Sequence, residues 1–147
     1  MRLPRQSRRL KGAPEAVMKK ILVVDDELLI RDLLYDHFSS RDYQISVADS
    51  GQKALDILGN EKVDCILTDL KMPDMDGLEL VEKVRDTSDT NIPVIVITGF
   101  PSWETAVDAL RKRVYDYVVK PFNINRLYST VEKAIEDTNG NQRIGEQ

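Results

Sequence analysis

Five polar residues stand at or just beyond the ends of short β-branched runs: Asp25 and Asp26 after ILVV, Asp69 after CILT, Thr98 closing VIVIT, and Lys120 after YVV. A lone Asp after a strand is as readily a turn or a helix cap. The combination asks for more. In an open parallel sheet, ligands bind outside the carboxyl ends of the strands, near the point where strand order reverses. Three carboxylates converging there within ~4 Å would repel by roughly 4 kcal/mol per pair at an effective dielectric near 20. A divalent cation would compensate. Hard oxygen ligands with room for water and a phosphate oxygen suit magnesium, whereas calcium takes more protein ligands than are offered. The only histidine, His37, sits on a helix and reads as a surface or half-buried residue, which makes a transition-metal site a poor fit.

A carboxylate can attack phosphorus and form an acyl phosphate when a metal and fixed cations neutralise the transferred charge. Asp69 stands alone at the end of a central run and is the candidate nucleophile, while Asp25 and Asp26 are paired in the manner of metal ligands. Lys120 would hold a phosphate oxygen by ion pairing, and Thr98 would donate a hydroxyl hydrogen bond to another.

The elements that must position these groups alternate between short apolar runs and stretches of helical spacing, the pattern of a doubly wound parallel α/β sheet. Strands are expected at 21–24, 44–48, 64–68, 94–98 and 117–119. The spacing of Leu29, Leu33, Leu34 and Phe38 predicts one helix, and that of Ala54, Leu55 and Leu58 a second. Leu78, Leu80, Val81 and Val84 predict a third; Trp103, Ala106, Val107 and Leu110 predict a fourth, with Ser102 as its N-cap. A fifth is expected over 124–135, followed by a frayed polar tail.

The 147 residues, 41% of them hydrophobic, suffice for one domain with its own core. Cys65, the single cysteine, lies in an apolar run and reads as a buried, inert thiol. No apolar stretch approaches the roughly 20 residues that cross a bilayer, and the N-terminus lacks the apolar centre of a secretory signal, so a cytoplasmic protein is expected. Net charge is −4, yet Arg2, Arg5, Arg8, Arg9, Lys11, Lys19 and Lys20 face only Glu15 within the first 20 residues. Residues 1–18 are expected to be a disordered basic extension, 19–137 the folded domain and 138–147 a polar tail. Met18 opens MKKILVVDDE, so a start at that methionine is also compatible with the sequence.

The strings ILVVDDE, CILTDLKMPDMDG, VIVITGF and YDYVVKPF, in that order, resemble the receiver domains of two-component response regulators over about residues 19–136. The resemblance implies a flavodoxin-like sheet of order 2-1-3-4-5. It implies direct magnesium ligation by Asp26, water-mediated ligation by Asp25, and completion by the backbone carbonyl of Lys71, with Asp69 taking phosphate from a sensor histidine kinase. It also implies that Pro73 and Gly77 shape the loop after Asp69, that Lys120–Pro121 is cis, and that Thr98 and Tyr117 form a switch pair. Lys71 and Phe100 would tune the lifetime of the phosphorylated form. Output would pass through the face made by the fourth helix, fifth strand and fifth helix, to a downstream protein or a phosphorylation-dependent homodimer, either from a single-domain regulator or from the receiver part of a longer one. TGFPSWETAVDAL followed by YDYVVKPF is similar to receivers attached to ATPase-type transcription activators. DNA contact by this acidic folded part is not expected.

The chain departs from the family at Lys112, Arg113 and Val114, where such receivers commonly read Ala-Gly-Ala. A helix often ends there in a left-handed turn that glycine tolerates best, so strain or a shifted helix end is expected. Aspartyl phosphatases on similar sheets need a second Asp two residues after the nucleophile; that place is Lys71, which favours a phosphoacceptor signalling domain over a turnover enzyme, with at most self-phosphorylation and self-dephosphorylation. A degenerate scaffold is disfavoured because all five key positions are filled.

Overall fold

A computed structural model describes residues 18–87 and 91–145, with side chains up to residue 138. All but the last residue of the basic extension lies outside the described residues. Five strands, β1 (Lys20–Val24), β2 (Gln44–Ala48), β3 (Cys65–Asp69), β4 (Val94–Thr98) and β5 (Asp116–Val119), pair in parallel in the order β2-β1-β3-β4-β5. The expected bounds hold to within one residue, and the shift at β3 matters. Asp69 is the last residue of that strand, paired with Ile97, so its backbone is held by the ladder.

Helices α1 (Leu28–Ser39), α2 (Gly51–Asn60), α3 (Gly77–Arg85), α4 (Trp103–Arg111) and α5 (Ile124–Gly145) cover both faces. Successive residues of a strand point to opposite sides. Ile21 and Val23 therefore pack with Leu34 and Phe38 of α1 and Leu127 and Val131 of α5, while Leu22 and Val24 pack with Ala54 of α2 and Leu80 and Val81 of α3. Cover on both sides is why β3 and β4 are buried along their whole length and read as continuous apolar runs. Cys65 is buried and unpaired in the first of these cores, as its setting in the sequence suggested.

Two helices bury only part of the apolar set expected of them. On α1, Leu34 and Phe38 are buried, but Leu29 is 81% exposed. On α4, Trp103 and Leu110 are exposed, and the buried residue is Ala109, packed on Leu70, Leu78 and Val96. Large apolar side chains drew the reading, whereas the small one lets the helix approach the sheet. Helix α5 continues to Gly145 rather than ending near Ile135. The apolar stripe stops at Ile135, but no proline follows, and glycine costs a helix interior only about 1 kcal/mol.

The departure at Arg113 has a structural counterpart. Helix α4 ends at Arg111 with Lys112 as its C-cap, Arg113 takes φ 60°, the Arg113 amide donates to the Leu110 carbonyl and the Val114 amide to the Ala109 carbonyl. This is the paired bonding of a Schellman helix end, a place that glycine normally fills. Val114 then packs beside Ala109. The fold therefore keeps the left-handed turn and places an arginine in it. Arg85 donates to the Arg113 carbonyl; burial first, and then the Arg113 charge, hold the Arg85 guanidinium below its ordinary range. Arg113→Gly should stabilise the domain by about 1 kcal/mol, by relieving the left-handed strain, and Arg113→Ala should gain far less because it keeps a Cβ. Urea unfolding of the two variants beside the parent measures this.

Candidate functional site

Strands β1, β3 and β5 bring their ends together at the crevice where the order reverses between β1 and β3. Asp25, one residue beyond β1, is buried at 2% exposure, and Asp69 at 7%. The Lys120 ammonium reaches between them, 3.3 Å from Asp25 Oδ2 and 3.8 Å from Asp69 Oδ1, and lies 3.9 Å from Glu27 Oε1. Backbone amides complete the support: Glu27 N–H donates to Asp25 Oδ1 and Leu70 N–H to Asp69 Oδ1. The Arg31 guanidinium bonds the Asp25 carbonyl, tying the first turn of α1 to the end of β1.

Ligand oxygens of Asp25, Glu27 and Asp69 lie within 4.8 Å of one another. Asp26 is exposed and outside that group, although its charge still acts on Asp69. Glu27 is the residue that the reading of the sequence passed over. Its signal was the third acid of ILVVDDE. Three acids share one ammonium, so negative charge is left over in a partly dry crevice. Burial, then the Asp25 charge, push the Asp69 carboxyl up to about 6, against the opposing pull of Lys120 and the Leu70 amide. Burial likewise raises Asp25. Such a set of hard oxygen donors with surplus negative charge fits a small dication.

Thr98 is fully buried at the end of β4, and its Oγ1 accepts a hydrogen bond from the Phe100 amide. Tyr117 on β5 is half-buried, its ring against Leu70, Leu78, Val96 and Ala109 and its hydroxyl 2.7 Å from Thr105 Oγ1. Phe100 and Lys71 are exposed on the rim. The Lys120–Pro121 peptide is cis. Gly77, the first residue of α3, lies so close to β3 that a Cβ there would collide with the Asp69 carbonyl oxygen, which is why the loop 70–76 can fold back over the site. His37 is half-buried on α1 and receives the Tyr128 hydroxyl, far in role from the acidic crevice.

Parallel strands in this order, with a buried carboxylate, an acidic cluster and a lysine at their carboxyl ends, define a doubly wound protein of the α/β class with an acidic crevice at its switch point. The chain belongs to the response regulator receiver domain family, whose family model matches residues 21–132, and it therefore acts in phosphorylation-dependent two-component signalling. It is 36% identical over 119 residues to the regulatory protein AtoC of Escherichia coli, spanning 81% of this chain and 26% of that protein. It is also 36% identical over 115 residues to sporulation initiation phosphotransferase F of Bacillus subtilis, covering 78% of this chain and 92% of that protein. Among solved structures, the response regulator TrrA of Thermotoga maritima in complex with Mg(2+)-BeF matches with a TM-score of 0.72 and 32% identity, over 80% of this chain and 99% of that one. The chain thus spans about a quarter of the length of regulators such as AtoC.

The raised Asp69 carboxyl makes a sign prediction. Its folded value of about 6 lies above the ordinary 3.8, so the native state holds the proton more tightly, and stability from this group falls as pH rises from 4 to 6. Asp69→Asn, which keeps an acceptor for Leu70, should therefore be more stable than the parent at pH 7 without divalent metal, by about 2 kcal/mol. The gain should shrink below pH 6 and vanish near pH 4, as read from urea unfolding at each pH.

Proposed function

We propose that Asp69 accepts a phosphoryl group from a phosphohistidine on a sensor kinase. An Asp69 carboxylate oxygen bonds to phosphorus as the phosphorus–nitrogen bond breaks, and the electron pair stays on the imidazole, which takes up a proton. The observation that carries this reading is the buried Asp69 carboxylate, 3.8 Å from the Lys120 ammonium within a group of three acids. Lys120 would hold one phosphoryl oxygen and Thr98 would donate to another. Asp25, Asp26, Glu27, Asp69 and the Lys71 carbonyl are the groups offered to magnesium. When bound, the ion would neutralise charge that develops on the transferred group. The Mg(2+)-BeF complex of TrrA supports the same cofactor here.

Signal output is assigned to the face of α4, β5 and α5, where Phe100, Trp103, Leu110 and Val119 are exposed beside Arg111 and Arg113. The partner is a downstream protein or a second phosphorylated copy, in a stand-alone regulator or as the receiver part of a longer one; the similarity to AtoC supports the longer form. No helix among the described residues is long and apolar enough to cross a membrane; phosphotransfer from a sensor kinase would call for a cytoplasmic location.

Incubation with acetyl phosphate and magnesium, followed by borohydride trapping and mass spectrometry, should label Asp69 alone. Label that persists in Asp69→Ala would refute the assignment. The acyl phosphate should be long-lived, because hydrolysis needs a water in line with the bond to Asp69, and exposed Phe100 and Lys71 have no acceptor to hold one. The Lys71→Asn, Phe100→Glu double variant should lose phosphate about tenfold faster, equivalent to about 1.4 kcal/mol of barrier. Timed loss of the label decides it, and equal rates would remove these two side chains from the account.

A further inference from the structure

Two hydroxyls of the site hang on one short loop. The Phe100 amide donates to Thr98 Oγ1 at 2.9 Å, and two residues on, the Ser102 amide donates to the Tyr117 hydroxyl at 3.3 Å. The Tyr117 oxygen also lies 2.7 Å from Thr105 Oγ1, which in turn lies 2.8 Å from Ser102 Oγ and 3.2 Å from the Ser102 carbonyl. Ser102 is the N-cap of α4, its Oγ accepting from the Thr105 amide. One assignment of protons lets each group serve in turn. The Ser102 amide gives to Tyr117, the Tyr117 hydroxyl gives to Thr105, and the Thr105 hydroxyl gives back to Ser102. The closed ring joins β5 to the first turn of α4.

Helix α4 buries few apolar side chains. Its one buried side chain is Ala109, and Trp103 and Leu110 stand in solvent. Apolar burial therefore anchors this helix weakly, and a hydrogen bond worth a few-fold in an equilibrium decides where its first turn rests. The hydrogen bonds of Thr105 go to Ser102 and Tyr117, and none goes to Asp25, Glu27, Asp69 or Lys120.

We propose that Thr105 is the positioning residue of the switch. Its hydroxyl clasps Tyr117 to the α4 N-cap, so that a movement of Thr98 is delivered to α4 through the Phe100 and Ser102 amides. This rests on the reading of Asp69 as phosphoacceptor only for its second half, the delivery of the signal. The clasp exists without phosphate.

The full chain as Thr105→Val, Tyr117→Phe, their double variant and Thr105→Ser tests both halves. Without phosphodonor, amide hydrogen exchange over residues 102–110 should quicken about fivefold in Thr105→Val and in Tyr117→Phe, and less than additively in the double variant, because both variants lose the Tyr117–Thr105 bond while each also loses its own bond to Ser102. Thr105→Ser, which keeps the hydroxyl, should exchange like the parent. Additive effects in the double variant, or a Thr105→Ser as fast as Thr105→Val, would overturn the clasp and leave Thr105 a helix-capping residue only. With acetyl phosphate and magnesium, Thr105→Val should take up label on Asp69 as the parent does, yet lose most of the parent's phosphorylation-dependent change in Trp103 fluorescence. A full fluorescence change in Thr105→Val would overturn the delivery. Absence of label from every variant would instead refute the phosphoacceptor reading, while the exchange data still decide the clasp.

Discussion

The constraint on which this structure turns is the sharing of one ammonium by three carboxylates. Lys120 lies within 4 Å of Asp25, Glu27 and Asp69, and no arrangement of one positive charge satisfies three negative ones in a crevice where two of them are almost wholly withdrawn from water. The fold tolerates the deficit by spending backbone donors on it. The Glu27 and Leu70 amides each bond an acid. What remains uncompensated is an appetite for a dication and for a group whose charge Lys120 can hold. The same imbalance that lowers stability at neutral pH suits the crevice to the ligands proposed for it.

Everything around the crevice serves to keep those charges from moving apart. Asp69 is paired in the ladder with Ile97, and Lys120 continues the β4 to β5 pairing through its amide bond to the Thr98 carbonyl. Beneath them, strands buried on both faces provide a rigid floor. Above, Gly77 lets α3 begin against the Asp69 carbonyl, and the Asp76 and Glu79 capping box holds that helix start. Opposite this side, Ala109 is the one fully buried side chain of α4, and Thr105 adds a hydrogen bond to Tyr117 of β5. The loop from Thr98 to Ser102 joins the acidic crevice to the start of α4.

The strands, the Ser102 cap and the five strand-end groups were legible in the amino-acid sequence because each depends on local order: a β-branched run, a cap residue before a helix, a polar residue where the run stops. The left-handed turn at Arg113 came through the family resemblance, which marks that place as one glycine usually fills. The parallel order of the sheet came through resemblance rather than periodicity, because alternation of strands and helices does not say which strands are neighbours.

Tertiary structure alone decided which charges meet. Asp26 and Glu27 are both acids next to Asp25, and only the turn from β1 into α1 carries the Glu27 oxygen to the cluster and leaves Asp26 at the rim. It also decided which of the apolar residues on α1 and α4 are buried, leaving Leu29, Trp103 and Leu110 exposed while Leu34 and Phe38 are buried as expected and Ala109 is buried unexpectedly, since helix orientation follows fit against the sheet and not side-chain size. The Thr105 to Tyr117 bond spans twelve residues and two elements. No spacing rule connects them; the packing of α4 across the ends of β4 and β5 brings the two hydroxyls within reach.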